Sequence, residues 1–332
     1  MRELTIIVTD LYLERAAAAP TDAAPPRLTS LETLLARGSC LETSDWHEWI
    51  CRRVGLRQGG RIPIAPIARF AHQQTSIARQ LWLAQCVHLE AGADRVYLRN
   101  ASPPSFSAEE WQAIESGFDR SFASSGQRLI DGRGSCAYLA CEQPLDVETR
   151  DPVRVRGADI HAALPSGPDA LAAKRLLTEI QMWLHDHPVN MRREERGIET
   201  VNTMWIWGGG HLPDGGAPAV LPGLYGDEPF LDGLWRLKGG AGFRLPASLD
   251  AVDLATNEAA VVALQSTPAV SQTPTQSLMA LEQDWFAPAV AALRRGLLSR
   301  VQLHANDRLV ALARSGLWRT WRRPRPWVEA LS

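Results

Sequence analysis

The side chains best suited to chemistry gather in one stretch, His185-Asp186-His187-Pro188-Val189-Asn190-Met191-Arg192-Arg193. Histidines two residues apart lie about 200° around a helix from one another, so His185 and His187 cannot share a metal. Pro188 in any case ends a helix at His187. Two readings of the remainder stay open. His187 and Asn190 can satisfy backbone groups at a helix end. Alternatively, Asn190, Arg192 and Arg193 can form an anion site, because guanidinium forks match phosphate or carboxylate. The string Asn202-Thr203-Met204-Trp205-Ile206-Trp207-Gly208-Gly209-Gly210-His211 follows. Its alternation predicts a strand covered on both faces, ending in a Gly208–Gly210 loop whose backbone can approach an anion closely. The spacing is neither GxGxxG nor a Walker loop. Asp10 closes an apolar strand, where α/β sheets place ligands, although a turn or cap role fits the same residue. There is no GxSxG elbow and no HExxH motif.

Composition removes further classes. Of 35 basic residues in a chain of 332, only Lys174 and Lys238 are lysines, which leaves almost no candidates for Schiff-base or Walker lysine chemistry. A formal net charge of −2 gives no field for nonspecific binding to nucleic acid or an anionic membrane. The carboxy-terminal run Trp318-Arg319-Thr320-Trp321-Arg322-Arg323-Pro324-Arg325-Pro326-Trp327 mixes cations and rings. It can stack bases, but packing on its own domain through cation–π contacts suits an otherwise slightly acidic chain better. Five cysteines without CxxC spacing fit reduced, mostly buried thiols. The apolar run Leu4 to Val8 is too short for a signal core, and no window reaches the ~18 apolar residues of a membrane span. A cytoplasmic protein without membrane contact is expected.

The elements that must position these groups read as follows. Leu4 to Thr9 predicts a buried central strand, and Ala16 to Pro26 a loop rich in Ala and Pro. Thr29-Ser30-Leu31-Glu32 is a capping box opening a helix that Gly38 stops. Arg61 to Ile67, with two prolines, predicts an edge or loop segment. Arg95 to Leu98 and Ser135 to Ala140 predict strands. Ser107 to Glu110 is a second capping box, leading into a helix striped by Trp111, Ile114, Phe118 and Phe122. A helix runs from Pro168 to His185. Ala259 to Leu264 predicts a strand, followed by a stretch rich in Ser, Thr, Gln and Pro to Ser277. A helix carrying Leu278, Leu281 and Trp285 is interrupted by Pro288. Val301 to His304 and Arg308 to Leu312 predict a hairpin around Asn306-Asp307.

His187-Pro188-Val189-Asn190, a following Arg, Gly197, Asn202 and a strand ending in three glycines resemble the HPxN…R…G…N…RGAG segment of archaeal-type cofactor-independent phosphoglycerate mutases, members of the alkaline phosphatase superfamily. The run from Glu179 to Gly210, the helix from Trp285 to Gly296 and the Trp/Arg-rich end are similar to a bacterial family of regulatory, phosphoglycerate-mutase-like proteins. The resemblance implies an α/β fold: an alkaline-phosphatase-like central mixed sheet flanked by helices, with an inserted α+β cap. It implies a phosphatase-like domain at 1–90 plus 200–332, and a cap at 91–199 ending in the HPVN motif.

In that superfamily a strand-end aspartate, matched here by Asp10, binds one of two divalent metals, and a metal-activated serine takes the phosphoryl group. The departures are extensive. Leu11 follows Asp10 where glycine is usual. Ile62 to Arg69 lacks the nucleophile serine, and Gln265 to Val270 replaces a run of Asp and His ligands. Trp207 replaces the arginine of RGAG. The expectation is a catalytically degenerate homologue without cofactor, regulatory or anion-binding. Its ligand is a small phosphorylated or carboxylate molecule, lined by His187, Asn190, Arg192, Arg193, Asn202, Gly208, Gly209 and Gly210. The alternatives are a metal-dependent mutase or phosphohydrolase with two Mn or Zn ions, which needs Asp10, His47, Asp227, Asp232, His304 or Asp307 to gather on folding, and an interaction module using the Arg/Trp tail.

Overall fold

The computed structural model describes residues 2–11, 25–56, 60–72, 79–93, 95–98, 105–155, 159–217, 219–254, 258–266 and 273–331. Most of the expected Ala/Pro-rich loop, and residues 267–272 of the Ser/Thr-rich stretch, lie outside them. The described residues within 1–13, 19–57 and 215–332 form one compact unit, and those within 58–214 another.

The first unit is built on a seven-stranded, mostly parallel sheet. Its order is Gly242–Phe243, Gly223–Tyr225, Ala259–Leu264, Glu3–Val8, Arg300–Ala305, Arg308–Ala313 and Ser39–Thr43. Glu3–Val8 lies parallel to both neighbours, with Leu4 opposite Ala260 on one side and Val301 on the other. A strand so placed has no solvent face, which is why its sequence is a continuous apolar run. Leu4, Ile6 and Val8 pack into a core with Leu31, Leu34, Phe286 and Leu293 from the helices on one face. On the other face Trp49 of the helix Trp46–Arg53 meets the ring of His304, and Trp46 meets Phe230 of the helix Pro229–Leu237. Helices therefore flank a central sheet in a mixed α/β fold. Asn306 and Asp307 both take left-handed backbone conformations, closing the expected hairpin Arg300–Ala305/Arg308–Ala313 as a two-residue primed turn requires.

Two local expectations in this unit are corrected. The helix Thr29–Arg37 has Leu28 at its N-cap and no side-chain cap from Thr29. The buried Glu282 carboxylate instead accepts the Ser30 and Leu31 N–H groups at 2.6 and 3.2 Å, while Glu32 turns to Arg27. A distant anion thus does what a local box was expected to do. Pro288 does not interrupt its helix either. Pro274–Leu281 runs through a π turn, Glu282–Phe286, into Ala287–Arg295. The wider turn accommodates the missing proline N–H and sends both Trp285 and Phe286 into the core.

The second unit carries a four-stranded antiparallel sheet in the order Gln127–Arg133, Cys136–Cys141, Gln80–Val87 and Thr203–Gly210. Two of these strands, Gln80–Val87 and Thr203–Gly210, lie outside residues 91–199. The sheet's core is shared with Trp111, Ile114, Phe118 and Phe122 of the helix Ala108–Phe122 and with Leu176, Ile180 and Leu184 of Ala170–His185. The Ser107 capping box is present. Two further expectations are corrected. The expected edge or loop over 61–67 holds only for 61–63, because Ile64–Phe70 is helical with Pro66 in its first turn, where no N–H donor is needed. Gly208–Gly210 is no loop but the end of the strand. Among the described residues no helix is long and apolar enough to cross a membrane.

Candidate functional site

The helix Ala170–His185 ends at Asp186, and His187 is the N-cap of the next helix, Pro188–Glu195. The His187 Nδ1 accepts the Val189 N–H at 3.3 Å. Asn190 closes the corner. Its amide donates to the carbonyls of Leu184 at 2.7 Å and Val201 at 2.6 Å, and its Oδ1 accepts the Val201 N–H at 3.0 Å. Arg193, also buried, donates to the carbonyls of Glu199 and Ser105 and to the Glu110 carboxylate, with its guanidinium 4.5 Å over the Phe106 ring. Asn202 bonds both the N–H and the carbonyl of Leu89. Asn190, Arg193 and Asn202 are thus engaged with groups of their own unit.

The three glycines meet side chains. A Cβ on Gly209 would lie 2.1 Å from the Trp82 ring, one on Gly208 2.9 Å from Ile64, and one on Gly210 2.6 Å from Pro63. The space on the Cβ side of each glycine is filled by those residues.

Two grooves lie open in this unit: one of about 590 Å³ lined in part by Arg61, Trp82, Asp146 and Gly209, and one of about 470 Å³ in front of His187. Ser116 and Arg120 of Ala108–Phe122 line the latter, with Trp183, Asp186 and Arg192. The imidazole stacks obliquely on Trp183, ring centroids 4.7 Å apart, and sits over Gly117, where a Cβ would be 2.9 Å from Nε2. Burial pushes the His187 pKa below its ordinary value, and the positive charges of Arg192 and Arg120 push it the same way. The ring is therefore neutral at neutral pH, and since Nδ1 accepts, the proton sits on Nε2. Among the described residues neither Arg120 nor Arg192 has an ion-pair partner. Two guanidiniums against the single carboxylate of Asp186 leave the lining net positive, and with a serine hydroxyl beside an uncharged imidazole this suits an anion. Of the expected ligand-binding residues, His187 and Arg192 face this groove. Arg120, Ser116 and Trp183 were missed, and the one available signal was Gly117, a helix-interior glycine on the side facing His187.

At the end of the central strand Asp10 is buried, and its Oδ1 accepts the Ser266 N–H at 2.5 Å. His47 pairs with Asp45 at 2.8 Å and stacks on Trp46; Asp232 pairs with Arg236; His304 lies buried under Trp49. Among the described residues no three His, Cys, Asp or Glu side chains gather as metal ligands. Among the described residues the tail is held to its own unit by hydrogen bonds, and the expected cation–π contacts are not among them. Arg319 and Arg322 donate to the carbonyls of Arg37 and Gly38, and the Trp327 indole to that of Pro26.

No protein-family model matches the chain. It is 26% identical over 118 residues to a 2,3-bisphosphoglycerate-independent phosphoglycerate mutase of Methanosarcina mazei, covering 35% of this chain and 30% of that one. It is 32% identical over 78 residues to the protein of the same name from Methanothrix thermoacetophila, covering 24% and 18%. A solved cofactor-independent phosphoglycerate mutase from Thermoplasma acidophilum aligns over 94% of this chain and 89% of its own, at 18% identity and a TM-score of 0.38. The chain resembles that family. The matched segment spans about 30% of the first relative's length.

Proposed function

We propose that this is a phosphoglycerate-mutase-like binding protein that takes a small phosphorylated or carboxylate anion in the His187–Arg192 groove and does not turn it over, acting as a regulatory homologue. The convergence of Arg120 and Arg192, without carboxylate partners among the described residues, on a buried neutral histidine carries this reading. Calorimetric titration with 3-phosphoglycerate is expected to show saturable binding that Arg120→Ala and Arg192→Ala each weaken about tenfold, the worth of one charge-assisted hydrogen bond of roughly 1.5 kcal/mol. No 2-phosphoglycerate should form with Mn or Zn. Turnover that Asp10→Ala abolishes would overturn the proposal in favour of a metal-dependent mutase or phosphohydrolase.

A further inference from the structure

We propose that the edge strand Ser39–Thr43 and the tail beside it form a docking edge for an extended acidic peptide segment of a partner protein. The strand is last in the sheet order, antiparallel to Arg308–Ala313. Cys40 and Leu41, whose side chains point to opposite faces, are both exposed. Such an edge offers a row of backbone donors and acceptors to an incoming strand.

The tail is fastened to the start of this strand. Arg319 Nη1 donates to the Arg37 carbonyl at 3.1 Å and to Ser39 Oγ at 2.9 Å, Arg322 donates to the Gly38 carbonyl at 3.1 Å, and Arg37 donates back to the Leu317 carbonyl at 3.0 Å. These bonds hold Trp318 and Trp321 next to the edge with 79% and 74% of their surface in solvent. The backbone that carries these tryptophans is already ordered, so a partner that grips them has only their side-chain rotamers to fix.

Charge selects the occupant. Residues 308–328 contain six arginines and no carboxylate, Arg323 and Arg325 are exposed, and the strand's one carboxylate, Glu42, is paired with Arg52. Two copies of this chain meeting edge to edge would bring two arginine clusters together, which disfavours self-association. Nucleic acid and lipid can use the rings and the charge, but only a peptide can also use the strand's backbone groups.

The test is fluorescence anisotropy on the full chain with a fluorescein-labelled peptide of alternating Glu and Val. A copy N-methylated at every second residue, an oligothymidine and phosphatidylserine vesicles are the comparison probes. The plain acidic peptide should bind, and N-methylation should abolish binding because strand addition needs the peptide N–H groups. The pairs Trp318→Ala/Trp321→Ala and Arg323→Glu/Arg325→Glu should each weaken it at least about tenfold. The urea midpoint should stay unchanged, since all four side chains are exposed. Equal binding of the methylated peptide, binding of oligothymidine or vesicles in its place, or no peptide binding would each overturn the proposal.

Discussion

Replacing Asn190 by alanine separates the two readings of the HPVN corner. Three hydrogen bonds of 2.6 to 3.0 Å would be lost, and two of them are to the N–H and carbonyl of Val201, a residue with no solvent exposure. Those two groups would be left buried without the partner they now have. At roughly 1–3 kcal/mol for each unsatisfied buried group, the loss comes to about 2–6 kcal/mol, a large share of the 5–15 kcal/mol that holds an ordinary domain together. Urea denaturation followed by tryptophan fluorescence measures it. Asn190→Asp, nearly the same shape, is informative beside it. Its carboxylate can still accept the Val201 N–H but faces two carbonyls that need a donor. It should be as damaging at neutral pH and recover in part as acid restores an O–H donor. A loss below about 1 kcal/mol for Asn190→Ala, combined with loss of 3-phosphoglycerate binding, would refute the structural role and return Asn190 to the ligand site.

Gly209→Ala should destabilise the second unit by about 1–3 kcal/mol, because the new methyl would overlap the buried Trp82 ring; a thermal melt checks this, and Gly197→Ala, with nothing near its Cβ, is a control for backbone strain alone. The depressed His187 pKa means that the unfolded chain takes up this proton first as the pH falls. Stability should therefore be full above about pH 7, decline below about 6.5 and level off under the folded value. Replacing His187 with Asn should flatten that part of the urea-midpoint profile. Cys40 is exposed, whereas burial pushes the pKa of Cys51, Cys136 and Cys141 up to about 12 and that of Cys86 well above its ordinary value. A thiol reagent at neutral pH should accordingly label Cys40 quickly and the other four only after denaturant is added.

Local pattern was enough for elements whose residues supply their own reasons. The apolar runs at Leu4 and Ala259 read as buried strands because a parallel strand covered on both faces has no polar side to show. The helical stripe from Trp111 to Phe122, the Ser107 capping box and the Asn306-Asp307 hairpin are complete within a few residues. The sequence also offered a structural alternative for His187 and Asn190, since Pro188 marks the helix end they serve. It could not arbitrate between cap and ligand, because that depends on where Val201 lies.

Tertiary structure decided whatever needed a partner distant in sequence. Thr29-Ser30-Leu31-Glu32 has the composition of a capping box, yet the helix is capped by Glu282, 252 residues from Ser30. Gly208–Gly210 looked like a loop, but its shape follows from Trp82, Pro63 and Ile64, which occupy the space its side chains would need. Arg192 was legible as a cation, whereas Arg120 became its neighbour only when two helices crossed at Gly117 and His187. Periodicity records which face of an element is buried. It carries no address for the residue on the other side, and that address is what separates an occupied arginine such as Arg193 from an open one such as Arg192.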